Sequence, residues 1–218
     1  AFLTATWVAL VRNKANLFAV ENEIKKFEQI FESNLRKLSQ LSRDVECLSS
    51  LSRIIAREFG VILIIEPAFP AMRTDGCAMR LPSGIPVVGL SLRYNRYDSF
   101  WFTLMHEMSH VALHYDDLFS PIVDDLEDEE GVDGEEEHKN EKEADANRLA
   151  TDSLIPRNIY RKIMRDGDSL GQMLAYAQQA GVHPSIPAGM YRHKKKNYKI
   201  YSDLVREVDV AAALGVDR

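Results

Sequence analysis

The segment from His106 to His110, with the sequence HEMSH, constrains the fold of this chain more than any other feature. Successive residues of an α-helix are rotated by about 100°, so two histidines four positions apart lie on one face with Glu107 beside them. The surrounding run from Trp101 to Leu113 is apolar on most sides, and Asp98 or Ser99 offers an N-cap. We therefore predict a central, buried helix that directs two imidazoles toward one point.

This spacing suits the chemistry of zinc hydrolases. Neutral imidazole is a good zinc ligand, and a bound zinc ion lowers the pKa of its water to about 7. A neighbouring carboxylate can then take the proton and deliver it to the leaving amine of a peptide. The motif predicts His106 and His110 as zinc ligands and Glu107 as the catalytic general base. The alternative is a pair of core histidines that bind no metal.

A catalytic zinc needs a third protein ligand, and the residues next to the motif do not supply it. His114 lies one turn beyond His110, but three residues at i, i+4 and i+8 fan out too far on a straight helix to share one ion. We interpret His114 as a helix-end cap or surface residue. The chain has Leu113 and Asp116 where a metzincin carries glycine and histidine. The third ligand is therefore expected from a later helix.

Acidic residues of the segment 141–148 are the candidates for that third ligand. We favour Glu143, because Asn147 lies one turn further along and can hydrogen-bond the remote nitrogen of a ligating histidine. Glu141 and Asp145 share the same spacing, so periodicity alone leaves the register open between Glu143 and these two acids.

Hydrophobic periodicity predicts a mainly helical chain with one small sheet. Apolar residues repeat at helical spacing from Leu17 to Leu38 and again from Val45 to Phe59, which predicts two amphipathic helices before the first strand. The expected fold class is α+β, with an N-terminal helical segment and a three-stranded sheet. The predicted strands are 61–65, 77–81 and 86–92, and the later helices are 140–153, 159–165, 169–180, 187–192 and 203–214.

The negative charge of the chain is concentrated in one segment. The formal net charge is −6, yet ten acidic residues fall between positions 124 and 137. Such a run predicts a solvated acidic loop, placed here at 116–139. Cys47 and Cys77 match no paired redox or metal spacing, which favours a reducing compartment. No apolar run reaches the roughly 18 residues of a membrane span, so we expect a soluble chain without a membrane partner.

Four segments of the chain carry a family resemblance. They are 87–94 (VVGLSLRY), 100–110 (FWFTLMHEMSH), 143–156 (EADANRLATDSLIP) and 181–184 (GVHP). In order and spacing they resemble the ImmA/IrrE metallo-endopeptidases, in particular members fused behind an Xre-type helix-turn-helix in antitoxin-like regulators. The family pattern Glu-x-Glu-Ala-Asn/Asp-x-Phe-Ala begins on Glu143, which supports this residue as third ligand, with Asp145 and Leu149 as departures from the pattern.

The resemblance covers roughly residues 45–193 and implies a zincin-like metallopeptidase domain there, with Zn²⁺ as cofactor and a cytoplasmic setting. In some relatives it implies cleavage of a repressor protein, so a DNA-binding repressor is the expected substrate. The chain starts at Ala1 without an initiator methionine. We therefore expect 1–44 to be an amphipathic linker from a DNA-binding module further upstream, through which alone DNA would be contacted. Residues 194–218 are expected to form a basic turn and a helix, and a homodimer is a further expectation.

The resemblance also places His183 near the substrate cleft, or in support of helix packing. Tyr94 and Tyr191 carry phenols that can stabilise an oxyanion, although packed aromatic roles are the alternative. Two functions stay open at this point. One is an active zinc endopeptidase, and the other is a non-catalytic zinc- or partner-binding domain for sensing or dimerisation in a helix-turn-helix regulator or antitoxin.

Overall fold

Four short strands form a mixed sheet near the middle of the chain. The computed structural model describes residues 2–124 and 134–216. Strand β1 (Ile62–Ile65) pairs in parallel with β3 (Pro86–Leu90), and β2 (Gly76–Arg80) lies antiparallel between β3 and β4 (Ile122–Asp124). The three predicted strands are confirmed, with ends shifted by at most two residues. The sheet nevertheless has four strands instead of three, because β4 lies in the stretch predicted as an acidic loop.

Each face of this sheet carries its own hydrophobic core. Side chains alternate between the two faces along a strand, and both sets are buried here. One face packs on α1 (Phe2–Glu21), and the other packs on α4 (Tyr97–His114). The strand residues of the α1 core are Ile62, Ile64, Cys77, Met79 and Val87, and those of the α4 core are Leu63, Ala78, Val88 and Leu90.

The N-terminal helical segment differs from the predicted one. A single helix from Leu17 to Leu38 is wrong, because α1 ends at Glu21 and α2 covers Glu32–Gln40, with residues 23–31 non-helical between them. The first helix also begins far earlier than its apolar spacing predicted. Val20, counted in the predicted apolar stripe, is 87% exposed.

Tertiary hydrogen bonds explain why the segment between α1 and α2 is not helical. The backbone N–H of Lys25 donates to the carbonyl of Ala56 at 3.0 Å, and the Gln29 side-chain amide donates to the carbonyl of Ala112 at 2.7 Å. These bonds satisfy polar groups outside a helix, and such contacts override local helix propensity. The segment is thereby held against α3 and the end of α4.

Eight further helices complete the described part of the chain. The predicted helix at 45–59 begins as a 3₁₀ turn over Val45–Ser50 and continues as α3, which ends at Gly60 with a φ of +68°. This left-handed conformation favours glycine at a helix C-terminus. The helices are α3 (Leu51–Phe59), α4, α5 (Gly134–Leu154), α6 (Arg157–Asp166), α7 (Leu170–Ala180), α8 (Ser185–Lys195), α9 (Ser202–Arg206) and α10 (Val210–Leu214).

The acidic segment is not one continuous loop. A 3₁₀ turn covers Tyr115–Asp117, β4 follows it, and α5 begins at Gly134 instead of the predicted residue 140. Residues 125–133 of the predicted loop lie outside the described residues. The acidic composition was a poor guide here, because charged residues also occupy the exposed faces of regular elements.

The C-terminal part is two short helices where one helix over 203–214 was predicted. Asp209 separates them, and its carboxylate accepts a hydrogen bond from the Ala212 backbone at 3.0 Å, which caps α10.

The predicted domain boundaries fall after residues 44 and 193. Helices outside these boundaries contribute to the same hydrophobic core as α4, through Leu35 of α2 and Val205 of α9. The domain boundaries themselves stay a prediction.

The predicted fold class is confirmed as α+β and mainly helical, with one small mixed sheet. Helix α4 lies at its centre, between the sheet on one side and helices α5 and α8 on the other. Among residues 2–124 and 134–216, we find no helix that combines the length and the apolar character needed to cross a membrane. The central helix is therefore the element from which the site is built.

Candidate metal centre

Helix α4 begins at Tyr97 and is buried along nearly its whole length. The predicted N-cap is wrong, because Arg96 occupies that position and Asp98 and Ser99 lie in the first turn of the helix. Its apolar residues pack against the sheet and neighbouring helices, which removes the two motif histidines from solvent. His106, Glu107 and His110 are all 0% exposed. Burying three polar side chains on one helix is costly unless they meet partners, so this stretch needs a structural or functional reason.

The two imidazoles converge with a carboxylate from α5. The Nε2 atoms of His106 and His110 lie 3.0 Å apart, and Glu143 Oε2 lies 3.2 Å from the first and 3.4 Å from the second. Ligands placed roughly 2.0–2.1 Å from a tetrahedral zinc ion lie about 3.3 Å from one another. The three donors therefore fit one metal ion by both chemistry and spacing.

Small residues on α5 bring the carboxylate to this position. Ala146 and Ala150 are 0% exposed, and side chains of this size allow two helices to approach closely. Glu143 lies about one turn before Ala146 on α5, so it reaches the imidazoles of α4. Its side chain is 23% exposed, which makes it the member of the three donors that reaches the surface.

Of the acids that periodicity left open, Glu143 is the one that the structure brings to the two imidazoles. Of the three candidate acids, only Glu143 joins the two imidazoles in a group whose donor atoms lie within 4.8 Å of one another, among the residues that the structure describes. Asp145 instead pairs with Arg148 at 2.7 Å on the outer side of α5. Glu141 is exposed.

Lys142, which the sequence reasoning did not single out, connects the end of α4 to α5. Its ammonium lies 2.8 Å from Asp117 Oδ2, and its backbone carbonyl lies 3.4 Å from Nε2 of His114. Burial, followed by the charge of His110, holds the pKa of His114 below its ordinary value. The imidazole of His114 packs beside that of His110, and it is directed toward the α5 backbone.

The carboxyl group of Glu107 lies against the start of β2. A Cβ atom built on Gly76 would lie 2.3 Å from Oε1 of Glu107, so the carboxylate packs directly on the glycine. The sequence reasoning missed this residue. The available signal was a glycine at the edge of a predicted strand, which marks a close approach of other atoms to the backbone.

Asn147 lies one turn beyond Glu143 on α5 and is half-buried. Its side chain makes no hydrogen bond within the described part of the chain, so its predicted support of a ligating histidine stays a prediction. Tyr94 is 41% exposed and accepts a hydrogen bond from Arg93 at 2.8 Å. It lines a small pocket that extends to Thr103, one helical turn before Glu107, and its role at an oxyanion also stays a prediction.

His183 does not join the metal-facing group. Its ring packs edge-on against Tyr97, with centroids 4.9 Å apart, and its Nδ1 accepts a hydrogen bond from the Ser185 backbone at 3.2 Å. Burial lowers the pKa of His183. These contacts fit the packing alternative for His183. Tyr191 is 8% exposed and packs against Tyr201 with ring centroids 6.3 Å apart.

Comparison with known protein families agrees with this geometry. A family model described as the IrrE N-terminal-like domain, of the peptidase M78 group, matches residues 56–182, which is more than half of the chain. The chain belongs to this family. The match includes α4, the donor residue of α5 and the whole sheet, so the resemblance found in the sequence is confirmed. A comparison with curated proteins finds no match.

Membership of this family makes the chain a metallopeptidase-like domain, and the donor set suits a metal ion. Two imidazoles and one carboxylate are a set found in catalytic zinc sites, where a fourth position is left for water. The donor set of this IrrE N-terminal-like domain is therefore compatible with zinc.

Proposed function

We propose that this protein is a zinc-dependent endopeptidase that acts in gene regulation, with a repressor-type DNA-binding protein as its substrate. The observation that carries the proposal is the convergence of the His106, His110 and Glu143 donor atoms within 4.8 Å of one another, with Glu107 on the same buried helix as the two imidazoles. His106, His110 and Glu143 hold the zinc ion, which when bound polarises the peptide carbonyl and lowers the pKa of a water.

Glu107 supplies the proton transfers of this reaction. As general base, its carboxylate takes the proton of the attacking water, and it then delivers that proton to the leaving amine. Full burial favours this role, because electrostatic interactions are stronger where bulk water is excluded. The contact with Gly76 limits where the carboxylate can lie.

The regulatory setting rests on the family resemblance alone. A cytoplasmic location, a helix-turn-helix module upstream and a homodimeric state belong to the same proposal. Cys47 and Cys77 form no disulfide bond among the described residues, which agrees with a reducing compartment.

A second candidate function is a non-catalytic zinc- or partner-binding domain of a helix-turn-helix regulator or antitoxin. One observation favours it: both imidazoles and Glu107 are 0% exposed, and only the Glu143 side chain, at 23%, reaches the surface. Structural zinc sites are closed, whereas catalytic sites keep one open position.

Glu107→Gln separates the two functions. The peptidase proposal predicts that the variant keeps its zinc, measured after purification without added metal, and loses cleavage of helix-turn-helix repressors and of a quenched-fluorescence peptide library. The loss expected on removing a general base is on the order of 10²–10⁴-fold. Glu141→Gln, an exposed acid on α5, is the matched control and keeps full activity. Unchanged regulatory output from Glu107→Gln and from chelated protein would support the second function instead.

A further inference from the structure

Gly76 is placed where a side chain would occupy the space of the Glu107 carboxyl group. A Cβ atom at this position would lie 2.3 Å from Oε1 and 2.9 Å from both Cδ and Cγ of Glu107. Contacts below 3.0 Å are not sustained by real Cβ atoms, so one of the two groups would have to move. The φ angle of Gly76 is not positive, and the backbone itself would therefore accept alanine. The glycine is required for space.

We propose that Gly76 is a positioning residue, which fixes the carboxylate of Glu107 for proton transfer and leaves the three metal donors untouched. This inference rests on the proposed peptidase function. A substitution that adds a methyl group at position 76 should therefore separate zinc binding from catalysis.

The backbone of β2 cannot yield to such a methyl group. Gly76 is paired with Leu90 of β3 on one side and with Asp124 of β4 on the other. The preceding residue, Asp75, accepts a hydrogen bond from the Ser91 backbone at 3.0 Å. The carboxyl end of Glu107 is a flexible side chain, so it is the group that moves.

The donors lie in a different direction from α4. Both imidazoles are turned toward Glu143 on α5, whereas Glu107 is turned toward the sheet. A methyl group at Gly76 therefore meets Glu107 before it meets any of the three donors. Movement of a catalytic group by about 1 Å can lower the rate by roughly 100-fold.

Gly89 offers a matched control in the neighbouring strand. It is also a buried-sheet glycine without a positive φ, and it pairs with Cys77, the residue after Gly76. A Cβ atom on Gly89 would lie 2.8 Å from Val11 of α1 and 3.0 Å from Sγ of Cys77. The same methyl group would thus strain the sheet on the face that carries no site residue.

The first test is a double-mutant cycle, in which peptide-library cleavage is measured for the wild type, Gly76→Ala, Glu107→Gln and the double variant. We expect Gly76→Ala alone to lower kcat on the order of 100-fold, with little change in KM. Zinc affinity should change by less than roughly 10-fold, the smallest loss that follows removal of a residue that hydrogen-bonds a metal ligand. In the Glu107→Gln background the same methyl group should add no further loss. Gly89→Ala should lose stability and keep kcat. Full activity of Gly76→Ala, or a parallel loss of zinc affinity, would overturn the assignment.

The second test needs no activity, so it decides whether position 76 contacts Glu107 even if the wild-type protein cleaves nothing. Gly76→Ala should lower the melting temperature of the metal-free protein by about 2–4 °C, the shift that corresponds to roughly 1 kcal/mol in a chain of this size. When Glu107→Ala removes the opposing carboxyl group, Gly76→Ala should be neutral or stabilising. An equal shift in both backgrounds would show that the methyl group meets something other than Glu107, and the inference would fail. If Gly76→Ala lowers the melting temperature only when Glu107 is present, and the wild-type protein cleaves no substrate, the result counts against the peptidase proposal alone.

Discussion

The two faces of the sheet contrast in what they bury. The face toward α1 buries apolar side chains, among them Trp7, Val11 and Met79, each 0% exposed. The face toward α4 is covered by a helix that buries His106 and Glu107 to the same extent. One sheet thus supports an apolar layer on one face and, on the other, a layer that buries polar side chains together with apolar ones.

This contrast shows where stability and chemistry reside. Burial of apolar surface stabilises the α1 layer without regard to direction, and each buried side chain of that kind contributes about 1.5–3 kcal/mol. Buried polar groups instead need partners in fixed geometry, so the polar side chains of the α4 layer tolerate far less displacement from their positions. Substitutions in the two layers should therefore have separable effects, and the first two of the following variants test that separation.

The largest effect is expected for Glu143→Ala. Removal of a donor should weaken zinc binding by more than the roughly 10–100-fold that follows loss of a supporting residue, because the ion loses a direct ligand. Zinc titration against a competing chelator measures this. Glu141→Ala, two residues away and exposed, should bind zinc like the wild type. If Glu141→Ala lost zinc and Glu143→Ala kept it, the third donor would have been assigned wrongly.

Trp7→Ala should have the largest effect on stability. This side chain is fully buried, and its indole N–H donates to the Glu66 carbonyl at 2.7 Å. Truncation should cost about 3–5 kcal/mol in urea unfolding, with zinc affinity of the folded protein unchanged. Leu17→Ala, on the same helix and 64% exposed, should change stability by less than about 0.5 kcal/mol. Weaker zinc binding by Trp7→Ala would show that the two layers are coupled.

The smallest effect concerns pH and His183, whose ring packs against Tyr97 at the start of α4. Burial holds the pKa of His183 below its ordinary value of 6.5, with Glu207 acting in the opposite direction. Below pH 6.5 the unfolded chain therefore binds more protons at this site than the folded chain, and stability falls as the pH falls. His183→Asn should reduce this loss in urea unfolding between pH 8 and 5 with chelator present.

The helix of the motif could be predicted because two signals agree there. The i, i+4 histidines and the apolar residues around them both require a buried helix, and α4 ends within one residue of the predicted run. Glu143 required more, since its neighbours Glu141 and Asp145 have the same helical spacing. Only the packing of α5 against α4 distinguishes the three acids.

Other features depend on contacts that no local pattern records. The region around α1 and α2 was predicted wrongly, because the hydrogen bonds of Lys25 and Gln29 come from residues more than 30 positions away. Strand β4 has three residues, too few for an alternation signal. Gly76 was overlooked for a similar reason, because a glycine next to a predicted strand does not reveal which side chain it leaves space for.

The donor set is shared between two helices that are separate in the chain, with both imidazoles on α4 and the carboxylate on α5. An ion held there would act as a cross-link, so its binding and the docking of the two helices form one linked equilibrium. At free zinc concentrations well above the dissociation constant, each tenfold increase would add about 1.4 kcal/mol to the stability of the docked form. The thermal unfolding midpoint would then serve as a gauge of zinc supply.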